Sequence, residues 1–266
     1  MPVAPALVLL HLTFADNFTA NKNPPDGNWA TTFPYGPPAT RTLPGNKEAE
    51  CYMDATVGKV PFVQHHFMFD IGAAPASPGS NPCGLPYTSG LLTTFNSFNQ
   101  LYGYFEICAK LPEGRGLWPA FWMLLSSNQY TAELDIFEVL GNAPSVLYFT
   151  THGATGGTWS TNSQRLKVAD TSAKYHIYGV DWEPATTTLY IDHRPVASAP
   201  TPQSMNTPMY MLINLAVGGP GSWPGPPDRA TRFPANYRVA YVRAYATPGT
   251  AEVSGSAALV PAFASR

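Results

Sequence analysis

The stretch AELDIFEVLG, residues 132–141, sets three carboxylic acids, Glu133, Asp135 and Glu138, among Leu134, Ile136, Phe137, Val139 and Leu140. Charged residues make up 12% of the 266-residue chain, against roughly 25% in an average soluble domain. With so few charges to place, three in one apolar run are poor candidates for ordinary solvated surface, although surface placement is the commonest fate of an acidic cluster. Two carboxyl groups flanking one bond are what glycoside hydrolysis needs. One, ionised, attacks the anomeric carbon or activates water; the other, protonated, releases the leaving oxygen. A third acid beside them tunes the pair, because like charges held close raise the pKa of one member. Carboxylates also collect hard cations, but a strand is an awkward platform for the six or more oxygen ligands of calcium.

A regular strand would turn Glu133, Asp135 and Phe137 one way and bury Glu138 on the other side, where a lone carboxylate is expensive. One inserted residue, a β-bulge between 135 and 138, brings Glu138 round to the face of the other two acids. The rest of the chain supplies strands to hold such a surface. YGYFEICAKL (102–111) alternates, with Tyr102, Tyr104, Glu106, Cys108 and Lys110 on one side and Phe105, Ile107 and Ala109 on the other. MYMLINLAVGG (209–219) is a continuous apolar run, as for a central strand buried on both faces. TTLYIDHRPVA (187–197) reads as two strands joined at Asp192–His193, and RVAYVRAY (238–245) as a last strand. Turn-forming stretches such as PEGRG and PGPPD separate these runs, and no ten-residue window has a helical face. The pattern predicts an all-β, antiparallel sandwich or barrel.

The remaining composition limits the function classes. The formal net charge is −2 with no basic stripe, which argues against nucleic acid. No stretch approaches the roughly 20 apolar residues of a membrane span. The start, MPVAPALVLLHLTF, has no Lys or Arg ahead of its apolar run and does not read as a signal peptide. Aromatics reach 13%, which suits a sugar cleft and a large β core equally. Of three cysteines, Cys51 and Cys83 could pair, and Cys108 reads as a buried thiol. Residues 1–246 are expected to form a single sandwich domain and 247–266 a weakly ordered tail.

ELDIFE fits Glu-x-Asp-x-x-Glu, and by it the chain resembles glycoside hydrolase family 16 in its bulged, laminarinase/lichenase-like form. GLWPAFWML (116–124) looks like the segment preceding the acids in that family. LTFADNF, the stretch 87–116, YHIYGVDWEPATTTLYIDHRPVA, LINLAVGG and FPANYRVAYVRAY resemble its other strands in order, so the likeness spans residues 10–246. It implies a β-jelly-roll sandwich with a concave cleft and endo-cleavage of β-linked glucan or galactan with retention. Glu133 would be the nucleophile and Glu138 the acid/base, with Asp135 hydrogen-bonding between them; a retaining pair stands about 5–5.5 Å apart. The resemblance places His152 beside the acids and Trp118 in the cleft. Trp122, on the same face as Trp118, suits either the cleft or the core. Glu48, Asn214 and Trp223 are further cleft candidates, and Asn214, polar in an apolar strand, needs a partner.

The departures are informative. The family's Asn-Glu-x-Gln is here Lys47-Glu48-Ala49-Glu50, which bears on the non-reducing-side sugar contacts, and its usual arginine is Tyr104. Ala240 stands where many members have a calcium-binding aspartate, so no such calcium site and no cofactor is expected. The reading is a monomeric, extracellular or periplasmic endo-β-glucanase acting on β-1,3 or mixed β-1,3/1,4 glucan. A transglycosylase or an exopolysaccharide glycanase on the same scaffold remains open. A binding sandwich without catalysis has no need of paired acids.

Overall fold

The computed structural model describes residues 10–19, 27–36, 39–58, 61–65, 68–127, 130–247 and 253–254. Among them helical turns are limited to two short 3-10 segments, Pro44–Asn46 and Gln203–Met205. The strands form two sheets packed as a jelly-roll sandwich. The eight-stranded sheet runs in spatial order Thr158–Lys167, Val146–Thr155, Ala132–Val139, Leu117–Leu125, Met209–Val217, Asn99–Gln100 and Val253–Ser254, with Leu91–Thr93 also on Met209–Val217. The ten-stranded sheet centres on Gly103–Lys110, between His176–Trp182 and Ala235–Ala246. Pairing is antiparallel except between Glu50–Tyr52 and Tyr87–Ser89.

The alternation in the sequence decides what lies between the sheets. Phe105, Ile107 and Ala109 point inward against Phe121, Met123, Leu134, Ile136, Val180 and Val239 in one apolar core. Tyr104, Cys108 and Lys110 stay partly exposed on the far face. Cys108 corrects the buried-thiol reading: it is half-buried, on the sheet face turned away from the core, alongside the partly exposed Tyr104 and Lys110. Burial pushes its thiol up to about 11, so it is a poor nucleophile. Tyr102 precedes its strand with φ 60°. Asp192 and His193 form the two-residue hairpin turn, both at positive φ, as a turn matched to strand twist requires.

The eight-stranded sheet is covered on its outer face as well, but only in part. Phe33, Tyr52, Leu91, Trp122, Leu124, Tyr210 and Leu212 form a second apolar cluster there. It explains why every residue of Met209–Val217 is buried. Cys51 and Cys83 are joined, Cα atoms 5.7 Å apart, across a separation of 32 residues. Closing a loop of that length in the unfolded chain corresponds to roughly 3–4 kcal/mol in the chain-entropy treatment. The bridge anchors the segment that delivers Glu48 and Glu50 to the sheet. Of the tail, Val253–Ser254 pairs with Asn99–Gln100; residues 248–252 and 255–266 lie outside the described residues, as do residues 1–9. No helix among the described residues is long and apolar enough to cross a membrane.

Candidate active site

The acidic strand, Ala132–Val139, is bulged where the alternation of its side chains demands it. Against Leu117–Leu125, Asp135 stands opposite Trp122 and Phe137 opposite Phe121, so one residue has no counterpart. Against Val146–Thr155, the register breaks between Asp135 and Glu138. Ile136 and Phe137 are both fully buried in the core. Glu133, Asp135 and Glu138 consequently share the outer face and line one cleft.

That cleft encloses about 310 Å³. Its floor includes Ala120 and Ala216, whose small side chains leave room above the sheet. Trp118 donates its indole N–H to Glu138 Oε1 at 3.1 Å. Trp223, 46% exposed, stands edge-on to Trp118 with ring centres 5.4 Å apart and meets Tyr148 at 4.7 Å. Its loop is drawn in by Gly116, whose φ is +83° and where a Cβ would lie 2.4 Å from Pro227 N. Trp122 is nearly buried and donates to Asn214 Oδ1 at 2.8 Å, while Asn214 Nδ2 donates to the Tyr52 hydroxyl at 2.8 Å. Asn214 therefore finds its partners within the protein, and both it and Trp122 still border the cleft. His152 lies opposite Glu133 in the register. Its Nε2 is 3.2 Å from Asp135 Oδ2 and its Nδ1 2.9 Å from Thr161 Oγ1.

Glu48 reaches the opposite flank through a β-bridge to Gly218. It accepts from the Leu43 N–H and the Asn46 amide. All nine residues expected in the site thus line one cavity. The sequence did not single out Tyr130 or Tyr52. Tyr130 lines the same cleft as Glu133, but it lies outside the strand motif. Tyr52 acts through Asn214, 162 residues away in the chain, a pairing that no local pattern carries.

The acids perturb one another strongly. Burial pushes Glu138 up to about 8, helped by the charge of Glu133 and opposed by the Trp118 hydrogen bond. Burial, then the Asp135 charge, holds Glu133 well above the usual glutamate range; His152 works the other way. Asp135 is raised by burial and by the charge of Glu138. Because the Asp135 charge raises Glu133, the two carboxyls titrate as a pair rather than as two independent sites. Among the described residues, Glu133, Asp135 and His152 are also the one group of three potential metal ligands, with donor atoms within 4.8 Å of one another. On the far sheet, Ala240 falls in a bulge of the last strand, and its methyl group offers a cation no ligand.

Glu50 carries a separate consequence. It is fully buried, and its Oε2 accepts from the Val217 N–H at 2.6 Å. Burial and then the neighbouring Glu48 carboxyl hold its pKa well above the ordinary value of 4.5. A carboxyl raised in the folded state stabilises the fold least at high pH: its contribution is intact below the unfolded pKa and is lost as pH rises through the folded one. Glu50→Gln keeps an acceptor for Val217 and removes the charge. We expect it to stabilise the protein by about 1–3 kcal/mol at pH 8, or ~2–12 °C in melting temperature at the usual conversion for a chain of this size. The gain should vanish by pH 4. Melting curves at both pH values check this; equal melting temperatures at pH 8 would refute it.

A two-sheet β-sandwich presenting three coupled carboxyls to a tryptophan-walled cleft has the layout of a carbohydrate-active sandwich. The chain belongs to the glycosyl hydrolases family 16, whose family model matches residues 49–243. It is 37% identical over 245 residues to an endo-1,3-1,4-beta-glycanase, EglC, of Rhizobium meliloti (strain 1021), covering 89% of this chain and 52% of the relative. It is 34% identical over 185 residues to a beta-glucanase of Rhodothermus marinus, covering 61% and 63% of the two chains. The chain spans about half the length of the Rhizobium relative. Among solved structures, the laminarinase catalytic domain from Thermotoga maritima superposes with a TM-score of 0.74 at 30% identity, covering 89% of this chain and 98% of the other.

Proposed function

We propose that this chain is a retaining, endo-acting β-glucanase that cleaves β-1,3 or mixed β-1,3/1,4 glucan by double displacement. The observation that carries the reading is the bulged strand, which sets Glu133 and Glu138 on one face with Asp135 between them. Glu138, raised to about 8, keeps its proton at neutral pH and can donate it to the departing glycosidic oxygen. Glu133 attacks the anomeric carbon in its ionised state, which a proton on Asp135 favours by removing the neighbouring negative charge. In the second step Glu138, now ionised, takes a proton from water as the water oxygen attacks the glycosyl–Glu133 ester and displaces the carboxylate. Trp118 has two parts to play. Its N–H fixes Glu138, and its ring suits the apolar face of a glucosyl unit.

The names of the relatives, a 1,3-1,4-beta-glycanase and laminarinases, support the glucan class. Work outside the cytoplasm follows from a polymeric substrate, and the Cys51–Cys83 bridge suits an oxidising compartment. The test is a panel of laminarin, mixed-linkage glucan, agarose and a bacterial exopolysaccharide, with Glu133→Gln alongside. We expect viscosity to fall well before reducing ends accumulate on one of the two glucans, and the variant to release nothing. Release from agarose or the exopolysaccharide alone would move the substrate class. Products longer than the starting oligosaccharide would assign transglycosylation.

A further inference from the structure

We propose that Tyr130 and Trp159 form a subsite for a glucosyl ring on the reducing-end side of the cleavage point; this rests on the β-glucan reading above. Both are large aromatics that the fold leaves in solvent, Tyr130 61% and Trp159 45% exposed. Their rings pair at 5.7 Å with 39° between planes. A single exposed aromatic needs no explanation. A pair held beside a cleft does.

Register fixes which way Trp159 faces. In the hairpin of Val146–Thr155 and Thr158–Lys167, His152 stands opposite Thr161 and Trp159 opposite Ala154. Thr161 meets His152 on the cleft face, and Trp159, two residues before it, shares that face. Tyr130 ties the pair to the chemistry, since it lines the same cleft as Glu133. The acids thus lie between two aromatic groups, Trp118–Trp223–Tyr148 beside Glu138 and Tyr130–Trp159 beside Glu133.

The direction of the sugar chain follows from the far corner. Glu48 enters next to Gly218, beyond the end of Met209–Val217 that pairs with Leu117 and Trp118. Trp159 lies two strands to the other side of the acids and at their opposite end. A glucan laid from Glu48 across the acids therefore leaves the sheet over Trp159. With Glu48 on the non-reducing side, as the sequence resemblance implies, Trp159 receives the other end. A β-linked glucosyl ring offers apolar C–H faces to the rings, and the exposed hydroxyl of Thr161, on the same face as Trp159, suits its rim. Two side chains are far less surface than the ~800 Å² per partner of a stable protein interface, so a sugar is the better fit.

The test uses Trp159→Ala and Trp159→Phe in the full chain, with kcat/KM on β-glucan oligosaccharides of increasing length. For Trp159→Ala we expect the loss on the longest oligosaccharides to exceed the loss on the shortest hydrolysed one by about tenfold, in KM rather than kcat, with Trp159→Phe restoring most of it. Binding of the same series to Glu133→Gln, followed by calorimetry with and without Trp159→Ala, should show the same length dependence. An equal loss at every length, or no loss while the parent enzyme cleaves, overturns the subsite and leaves the activity standing. A parent chain that neither cleaves nor binds any glucan overturns both. A dimer in gel filtration that Trp159→Ala dissociates would assign the pair to contact between copies instead.

Discussion

Glu133→Gln is expected to lower turnover on β-glucan by roughly 10³–10⁶-fold, because removing a nucleophile that works as a unit with its partners removes most of what the unit achieves. The carboxyl sits on a fully paired strand and touches no core residue that needs its charge, so the fold should survive. Glu138→Gln should cost about 10²–10⁴ on glucan, the usual range for lost general acid catalysis. Its loss should shrink sharply on an aryl glucoside whose leaving group needs no proton. Azide separates the two roles by stereochemistry. With Glu138→Ala, azide replaces water in the second displacement and gives a β-glycosyl azide. With Glu133→Ala, azide enters the emptied face directly and gives the α-anomer. Proton NMR of the anomeric signal reads the answer, and α-azide from the Glu138 variant would exchange the assignments.

The second large effect is in the pH profile. Activity needs a proton on Glu138 and a single negative charge on the Glu133–Asp135 pair. The alkaline limb of kcat/KM should fall through about 8, the value to which burial and Glu133 push Glu138. The acid limb should lie above the ordinary glutamate value of 4.5, since burial and Asp135 hold Glu133 up. The sign of each shift can be tested separately. Asp135→Asn removes a negative neighbour, so Glu133 ionises more readily and the acid limb moves to lower pH, at reduced kcat. Trp118→Phe removes a hydrogen bond that lowers Glu138, so the alkaline limb moves up. Initial rates from pH 4 to 10 on a soluble glucan decide it. Limbs that stay put in both variants would mean that other groups control the profile.

The acids were legible in the sequence because a charge in an apolar strand is locally anomalous, and the spacing of 135 and 138 leaves a bulge as the inexpensive solution. Phe105 and Ile107 were legible for the same local reason, as was the Asp192–His193 turn. Cys108 was misjudged because alternation says which residues share a face but not whether that face is covered. The cleft's outer wall was harder. Tyr52 and Glu50 owe their roles to Asn214 and Val217, more than 160 residues distant, and Trp159 acquires its place only through a hairpin register. Irregular stretches such as 28–36 and 39–48 carry Phe33 and Glu48 to the sheet with hardly any periodic signal.

The bulge also bears on chain length. Deleting a residue from an ordinary strand inverts every side chain that follows. Here the surplus is one residue against both neighbours, and Ile136 and Phe137 both face the core. A shorter strand lacking Ile136 would still turn Phe137 and Val139 inward and the acid at 138 outward, with two unbroken ladders. The same catalytic surface is therefore compatible with two spacings of its acids. At this one point in the sheet, a gain or loss of a single codon alters the distance between the carboxyl groups without altering the side they occupy.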